Sequence, residues 1–143
     1  MQDMTPEELR HFLLGTARTG KLSTVCKDGR PHVAPIWFDM DGDALIFTTA
    51  HASVKGRNIQ RDPRLMICVD EETPPFAYVL YEGRAEVMSP TPEEFLRWAT
   101  SIAGRYMGAD QAEAYGRRNA VPGELLIRVT PTKIVAQKGI SDW

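Results

Sequence analysis

A chain of 143 residues, 43% hydrophobic and 25% charged, is sized for one globular domain with a workable core, and we read residues 1–143 as a single unit. No apolar run approaches the ~20 residues of a membrane helix, and the polar, acidic start MQDMTPEELR lacks the basic-then-apolar order of a secretory leader, so the expected location is the cytoplasm. A formal net charge of -2 argues against a general nucleic-acid binder, whose footprint is a basic domain.

The first element is a short helix. Thr5 is placed to cap it, Pro6 suits its first turn, and Glu8 completes a capping box three residues after the cap; the helix is expected to run to Leu14. KLSTVCK and PHVAPIWFDM then read as two strands joined at Asp28-Gly29, a pair that tolerates the positive backbone angles of a tight turn. Asp41-Gly42-Asp43 repeats the device ahead of ALIFTT. RLMICVD, FAYVLYEGRAEVM, ELLIRV and, after Pro131, TKIVAQ supply four further strands. Between them Thr91, Pro92 and Glu94 open a second helix that carries Phe95, Trp98, Ile102 and Tyr106 at helical spacing, and AEAYGRRN reads as a further short helix. The sum is mainly β with a few helices, the pattern of a small closed barrel.

Two features mislead. GTARTGK, residues 15–21, matches most of a phosphate-binding P-loop, but Leu22 stands where a Ser or Thr would hold magnesium and the segment follows a helix instead of a strand. The histidines His11, His32 and His51 have no metal-ligand spacing, and Cys26 and Cys68 fall inside strands as free thiols; no metal site or disulfide is expected.

SVKGRNIQRDPR, residues 53–64, crosses from the strand ending FTT to RLMICVD and concentrates Lys55, Arg57, Arg61 and Arg64 in a chain of net negative charge. Ser53 is a plausible N-cap for a helical turn through VKGRNIQ, whose free peptide N–H groups and dipole favour an anion. On charge alone the cluster reads first as a solvated basic face. Arg61 and Arg64, beside Asp62, are assigned to ordinary ion pairing.

LSTVCKDGRPHVAPIWF, DGDALIFTT and SVKGRNIQRDPRLMICV, at these spacings, resemble the split β-barrel flavin and deazaflavin oxidoreductases, the group that includes pyridoxamine phosphate oxidase. The similarity runs from about residue 9 to 88, with a looser tail at RVTPTKIVAQ. It implies an antiparallel Greek-key split barrel of six to seven strands, and a homodimer with cofactor clefts at the interface. It further implies that Ser53, Lys55, Arg57 and Asn58 grip the cofactor phosphate, that Thr48 and Thr49 offer hydroxyls near it, and that Pro35, Ile36 and Trp37 run beside the tricyclic ring. Ala34 and Asp39 stand where the pyridoxamine phosphate oxidases carry an arginine and a lysine for flavin mononucleotide, and the Arg- and His-rich ending of those enzymes is absent. The chain therefore looks more like the branch that uses coenzyme F-420, a deazaflavin whose tail carries a phosphodiester and glutamates; Lys21 is a further candidate for that tail.

The implied activity is hydride transfer between reduced coenzyme F-420 and a conjugated acceptor such as a quinone, enone or biliverdin-like tetrapyrrole. The alternatives are an oxidase or reductase using flavin mononucleotide (FMN), and a non-catalytic protein that stores the deazaflavin. No catalytic residue is assigned, since the cofactor itself carries the chemistry; Tyr78, Tyr81 and Arg84 are the candidate proton donors. The substrate pocket is expected to draw on residues 72–80 and 104–123.

Overall fold

Alternation of buried and open positions decides the strands. In the computed structural model, which describes residues 1–143, strand β2 (Gly20–Val25) sends Leu22 and Thr24 inward and Lys21, Ser23 and Val25 outward, and β6 (Arg64–Glu71) buries Leu65, Ile67 and Val69 by the same period of two. With β3 (Pro31–Ile36), β4 (Asp39–Asp41), β5 (Ala44–Ala50), β7 (Ala77–Val87) and β8 (Glu124–Lys138) they form one antiparallel sheet in the order β3-β2-β6-β7-β8-β5-β4. A two-residue strand β1 (Gln2–Asp3) adds to the far end of β8. The sheet curls around Phe38, Phe47, Ile67, Val79, Tyr81 and Ile127, each fully buried, and helices α1 (Pro6–Gly15) and α2 (Val54–Arg61) contribute Phe12, Leu13 and Ile59 to the same core.

The helix starts follow from local chemistry. Thr5 Oγ1 accepts from the Glu8 N–H at 3.1 Å while the Glu8 carboxylate accepts from the Thr5 N–H at 2.9 Å, and Thr91 caps α3 (Pro92–Met107) through the Glu94 N–H. The last helix, α4 (Ala112–Asn119), spans AEAYGRRN and no more.

Three strand expectations are corrected. The barrel is split instead of closed: β3 and β4, the two ends of the sheet, are consecutive in the chain and separated only by Trp37 and Phe38, so the segment expected as one strand over 31–40 breaks there. The Phe38 peptide, left without a strand partner, is served by α3. Its N–H donates to the Tyr106 hydroxyl at 3.2 Å, and its carbonyl accepts from the Arg105 guanidinium, which also donates to the Leu13 carbonyl at 2.7 Å. ELLIRV and TKIVAQ, expected as two strands, form the single strand β8. Pro131 sits opposite Gly83, where the register shifts, so the absent N–H falls in a bulge, and Thr132 Oγ1 donates to the Glu82 carbonyl at 3.2 Å.

A second layer covers the outer face of β5 and β8. Ile46, Leu126 and Ile102 of α3 form a small core there, with Trp37, Phe95, Trp98 and Tyr106 packed around it. α4 lies close on α3 because Gly116 has no side chain: a Cβ there would stand 2.3 Å from Thr100 Oγ1. Inside the barrel, Tyr81 is held between the carbonyls of Asp43 and Val129, and burial pushes its pKa up; it is a structural hydroxyl.

Two substitutions test this account. Arg105→Met removes the charged donor from the Phe38 and Leu13 carbonyls and should lower unfolding free energy by about 2–3 kcal/mol in urea denaturation. Asn58 is buried on α2, with its amide donating to Thr24 Oγ1 at 3.0 Å and its carbonyl accepting from Arg61 at 2.9 Å; Asn58→Leu should cost about 1–3 kcal/mol by the same measurement.

Candidate functional site

The site grows from the junction of β5 and α2. Ser53 caps α2: its Oγ accepts from the Gly56 N–H at 3.0 Å, donates to the Ala50 carbonyl at 2.8 Å and lies 3.0 Å from Thr49 Oγ1. Gly56 is the hidden requirement of this turn. A Cβ there would stand 2.1 Å from the Ala50 carbonyl oxygen, so only glycine lets the helix start rest on the strand end. A glycine inside a helix was the signal available in the sequence.

Beside this junction lies a cavity of about 550 Å³, within the roughly 300–1,000 Å³ range of small-molecule sites. One wall is Thr48, Thr49, Ala50, Ser53 and Lys55; Pro35 and Trp37 form the next; Ala99 and Ile102 of α3 and Tyr115, Arg118 and Asn119 of α4 face them, with Glu124 at the start of β8. Trp37 is held in place by stacking on Tyr106, with ring centroids 5.2 Å apart and planes within 3°. Pro35 belongs to β3, an edge strand, where its lack of an N–H costs no ladder bond. A smaller apolar cavity under α1, lined by residues such as Leu9, Leu13, Met40 and Ile134, is separate and carries no cluster of cations.

The cavity brings together Pro35, Trp37, Thr48, Thr49, Ser53 and Lys55. Ile36, Arg57 and Asn58 do not line it. Ile36 points into the barrel core and Asn58 bonds inward to Thr24, while Arg57 is exposed on another face of α2. The helical period accounts for the last: residues two apart, such as Lys55 and Arg57, project in different directions. Lys21 pairs with Asp70 at 2.8 Å and Arg64 with Asp62 at 2.7 Å, and Arg61 donates to the Val25 carbonyl at 2.7 Å. None of these three reaches the cavity.

Lys55 and Arg118 are the cavity's cations, and neither forms an ion pair; Arg118 lies over the Tyr115 ring with its guanidinium carbon 5.5 Å from the centroid. Glu124 is the single carboxylate; burial pushes its pKa up, and the Lys55 charge pulls it partly back. Asp39 is turned away at the seam, bonded by Ser101 Oγ at 2.5 Å and the Met40 N–H at 2.8 Å. The candidate proton donors are elsewhere too: Tyr81 is inside the barrel, and Tyr78 and Arg84 lie on other parts of β7. Tyr115 is the hydroxyl-bearing ring on the cavity wall. Of the two segments expected to build the pocket, 104–123 contributes α4, whereas Phe76 and Tyr78 of 72–80 gather with Cys68 and Ile140 in a different hollow. Sequence reasoning did not single out Arg118, Asn119 or Glu124, because long-range packing alone brings them to β5.

Chemically, the arrangement sets hydroxyls, a helix start and an ammonium, groups able to receive an anion, across from an aromatic and aliphatic slot. A family model described as pyridoxamine 5'-phosphate oxidase matches residues 5–138. A conserved hypothetical protein from Mycobacterium tuberculosis superposes with a TM-score of 0.82 at 25% identity, over 96% of this chain and 87% of that one. A protein described as an F-420 reductase is 29% identical, with a TM-score of 0.66 over 87% of this chain and 94% of its own. A heme storage protein from Vibrio cholerae shares the fold, at 18% identity and a TM-score of 0.74 over 95% of this chain and 97% of its own. Since the family match takes in both the split barrel and the α3–α4 layer that bounds the cavity, the chain belongs to the pyridoxamine 5'-phosphate oxidase family.

Proposed function

We propose that this protein is an oxidoreductase that binds coenzyme F-420 in the β5–α2 cavity and reduces a conjugated organic acceptor such as a quinone, enone or biliverdin-like tetrapyrrole. The observation that carries the reading is Lys55: a half-buried cation with no carboxylate partner, beside a capped helix start and in one cavity with Trp37. The residues fit the cofactor because Gly56 lets the first turn of α2 rest on the strand end, where the Ser53 cap and Lys55 line the cavity. The 29% identity to a protein described as an F-420 reductase supports the deazaflavin over FMN.

When bound, the deazaflavin supplies the hydride chemistry. The chain's part is to hold and shield it. Ser53, Thr48, Thr49 and Lys55 hold the phosphate-bearing tail, while Pro35 and Trp37 bound the ring along the edge of β3. Neither Tyr78 nor Tyr81 lines the cavity, which leaves water and the Tyr115 hydroxyl on its wall as proton sources for the acceptor.

The proposed assembly is a homodimer. Val33 and Met66 flank Ser23 across β3, β2 and β6, so they share one outer face; they are 63% and 37% exposed. Pro35 lies on that face of β3 and also lines the cavity, so a second copy seated there would wall its open side. Large exposed apolar groups at one place mark an association surface. The proposed location is the cytoplasm; no helix is long and apolar enough to cross a membrane.

Fluorescence titration with coenzyme F-420 and FMN tests the cofactor. The expected result is a preference for F-420 of about tenfold or more, with Lys55→Ala weakening binding by about 1.5–3 kcal/mol and Arg57→Ala by under about 0.5 kcal/mol. A tenfold preference for FMN overturns the choice of cofactor, and a silent Lys55→Ala overturns the site. For the assembly, Val33→Asp combined with Met66→Asp should convert a dimer to a monomer in size-exclusion chromatography with light scattering, and should weaken cofactor binding at the same time.

A further inference from the structure

The carboxylate of Glu124 stands where an anion site would be expected to have none. Its backbone pairs with Ala50, the residue whose carbonyl receives the Ser53 hydroxyl at the start of α2, so Glu124 lies beside the β5–α2 end of the cavity. The turn carrying His51 packs against it on the other side, with the His51 N–H donating to the Gly123 carbonyl at 2.8 Å. No hydrogen bond or ion pair engages the Glu124 carboxylate, although Lys55 and Arg118 share its cavity. Several other carboxylates are matched to cations, such as Glu71 to Arg18, Asp70 to Lys21, Asp62 to Arg64 and Asp41 to Arg128.

We propose that Glu124 grades this cavity by phosphate charge, opposing a doubly charged phosphate monoester more strongly than a singly charged phosphodiester. The inference rests on the proposed anion site, and it deepens that reading by naming the tail chemistry the site prefers. Lys55 and Arg118 attract either anion, and the Glu124 carboxylate opposes each in proportion to its charge. A phosphodiester carries one negative charge. A monoester carries about 1.5–2 negative charges near neutral pH, and the surplus meets the Glu124 carboxylate in a partly desolvated pocket, where like charges repel more strongly than in water. Selectivity of this kind comes from a repulsive group built against the wrong ligand.

The test uses one ring with three tails: riboflavin, FMN and the methyl phosphodiester of FMN, together with their 5-deaza analogues, titrated by fluorescence. Glu124→Gln should tighten binding of the monoester about tenfold and of the diester about threefold, and leave riboflavin unchanged, because the interaction scales with ligand charge. Asn119→Asp, which adds a carboxylate to the α4 wall, should do the reverse, weakening the monoester about tenfold and the diester about threefold. This second variant gives a reading if Glu124→Gln fails to fold. Equal changes for monoester and diester, a matching change for riboflavin, no change in either variant, or binding of neither ring overturns the inference. A protein that prefers FMN to coenzyme F-420 yet shows the charge-graded response would lose the proposed cofactor and keep the charge grading.

Discussion

The peptide of Phe38 is the constraint on which the rest of the architecture turns. A sheet whose two end strands are joined by only Trp37 and Phe38 leaves that peptide without a ladder partner, and the cost of an unsatisfied buried peptide has to be met from another element. α3 meets it, with Tyr106 accepting from the N–H and Arg105 donating to the carbonyl. Tyr106 also donates to the Arg18 carbonyl at 2.8 Å, and Arg18 in turn reaches the Phe12 carbonyl and Glu71, so α1, β6 and α3 are tied to one seam. The barrel is held shut at its split by side chains instead of by strand pairing.

The candidate site inherits its geometry from that seam. Because Tyr106 is anchored to Phe38, its ring lies flat against Trp37, the next residue, and fixes the indole at the cavity wall. Because α3 is anchored, α4 is too: Gly116 lets it settle on Thr100, and its last turn carries Arg118 and Asn119 across from Lys55. A displacement of α3 would therefore move the aromatic wall and the second cation together. The opposite wall is set independently and locally, by the Ser53 cap and by the close approach that Gly56 allows.

Ion pairing divides the basic residues of the molecule. Lys21, Arg64 and Arg128 each have a carboxylate within 2.8 Å, and such exposed pairs contribute little to stability. Their effect here is to remove those cations from competition for a ligand. Lys55 and Arg118 are left as positive groups with only Glu124 near them, so a protein of net charge -2 still presents a local positive field in one groove. The basic crossover of the sequence thus divides by direction: Lys55 faces the groove, Arg57 faces solvent, and Arg61 and Arg64 belong to the scaffold.

What the sequence by itself determined was whatever closes within a few residues. The Thr5, Ser53 and Thr91 caps, the extent of α4 and the existence of β2 and β6 were legible because a capping bond spans three residues and a strand's face repeats every two. Resemblance then pointed to Ser53, Lys55, Arg57 and Asn58 as the phosphate grip, and of these Ser53 and Lys55 line the cavity. Tertiary structure alone decided the rest. Whether Pro131 ends a strand depends on the bulge opposite Gly83; whether Asn58 meets a ligand or the core depends on Thr24, thirty-four residues away in the chain; and Arg118 and Glu124 become site residues only because Gly116 and the β5–β8 ladder carry them there. Contacts between distant segments leave no periodic trace in either segment, since each partner is chosen by the shape and unmet hydrogen bonds of the other.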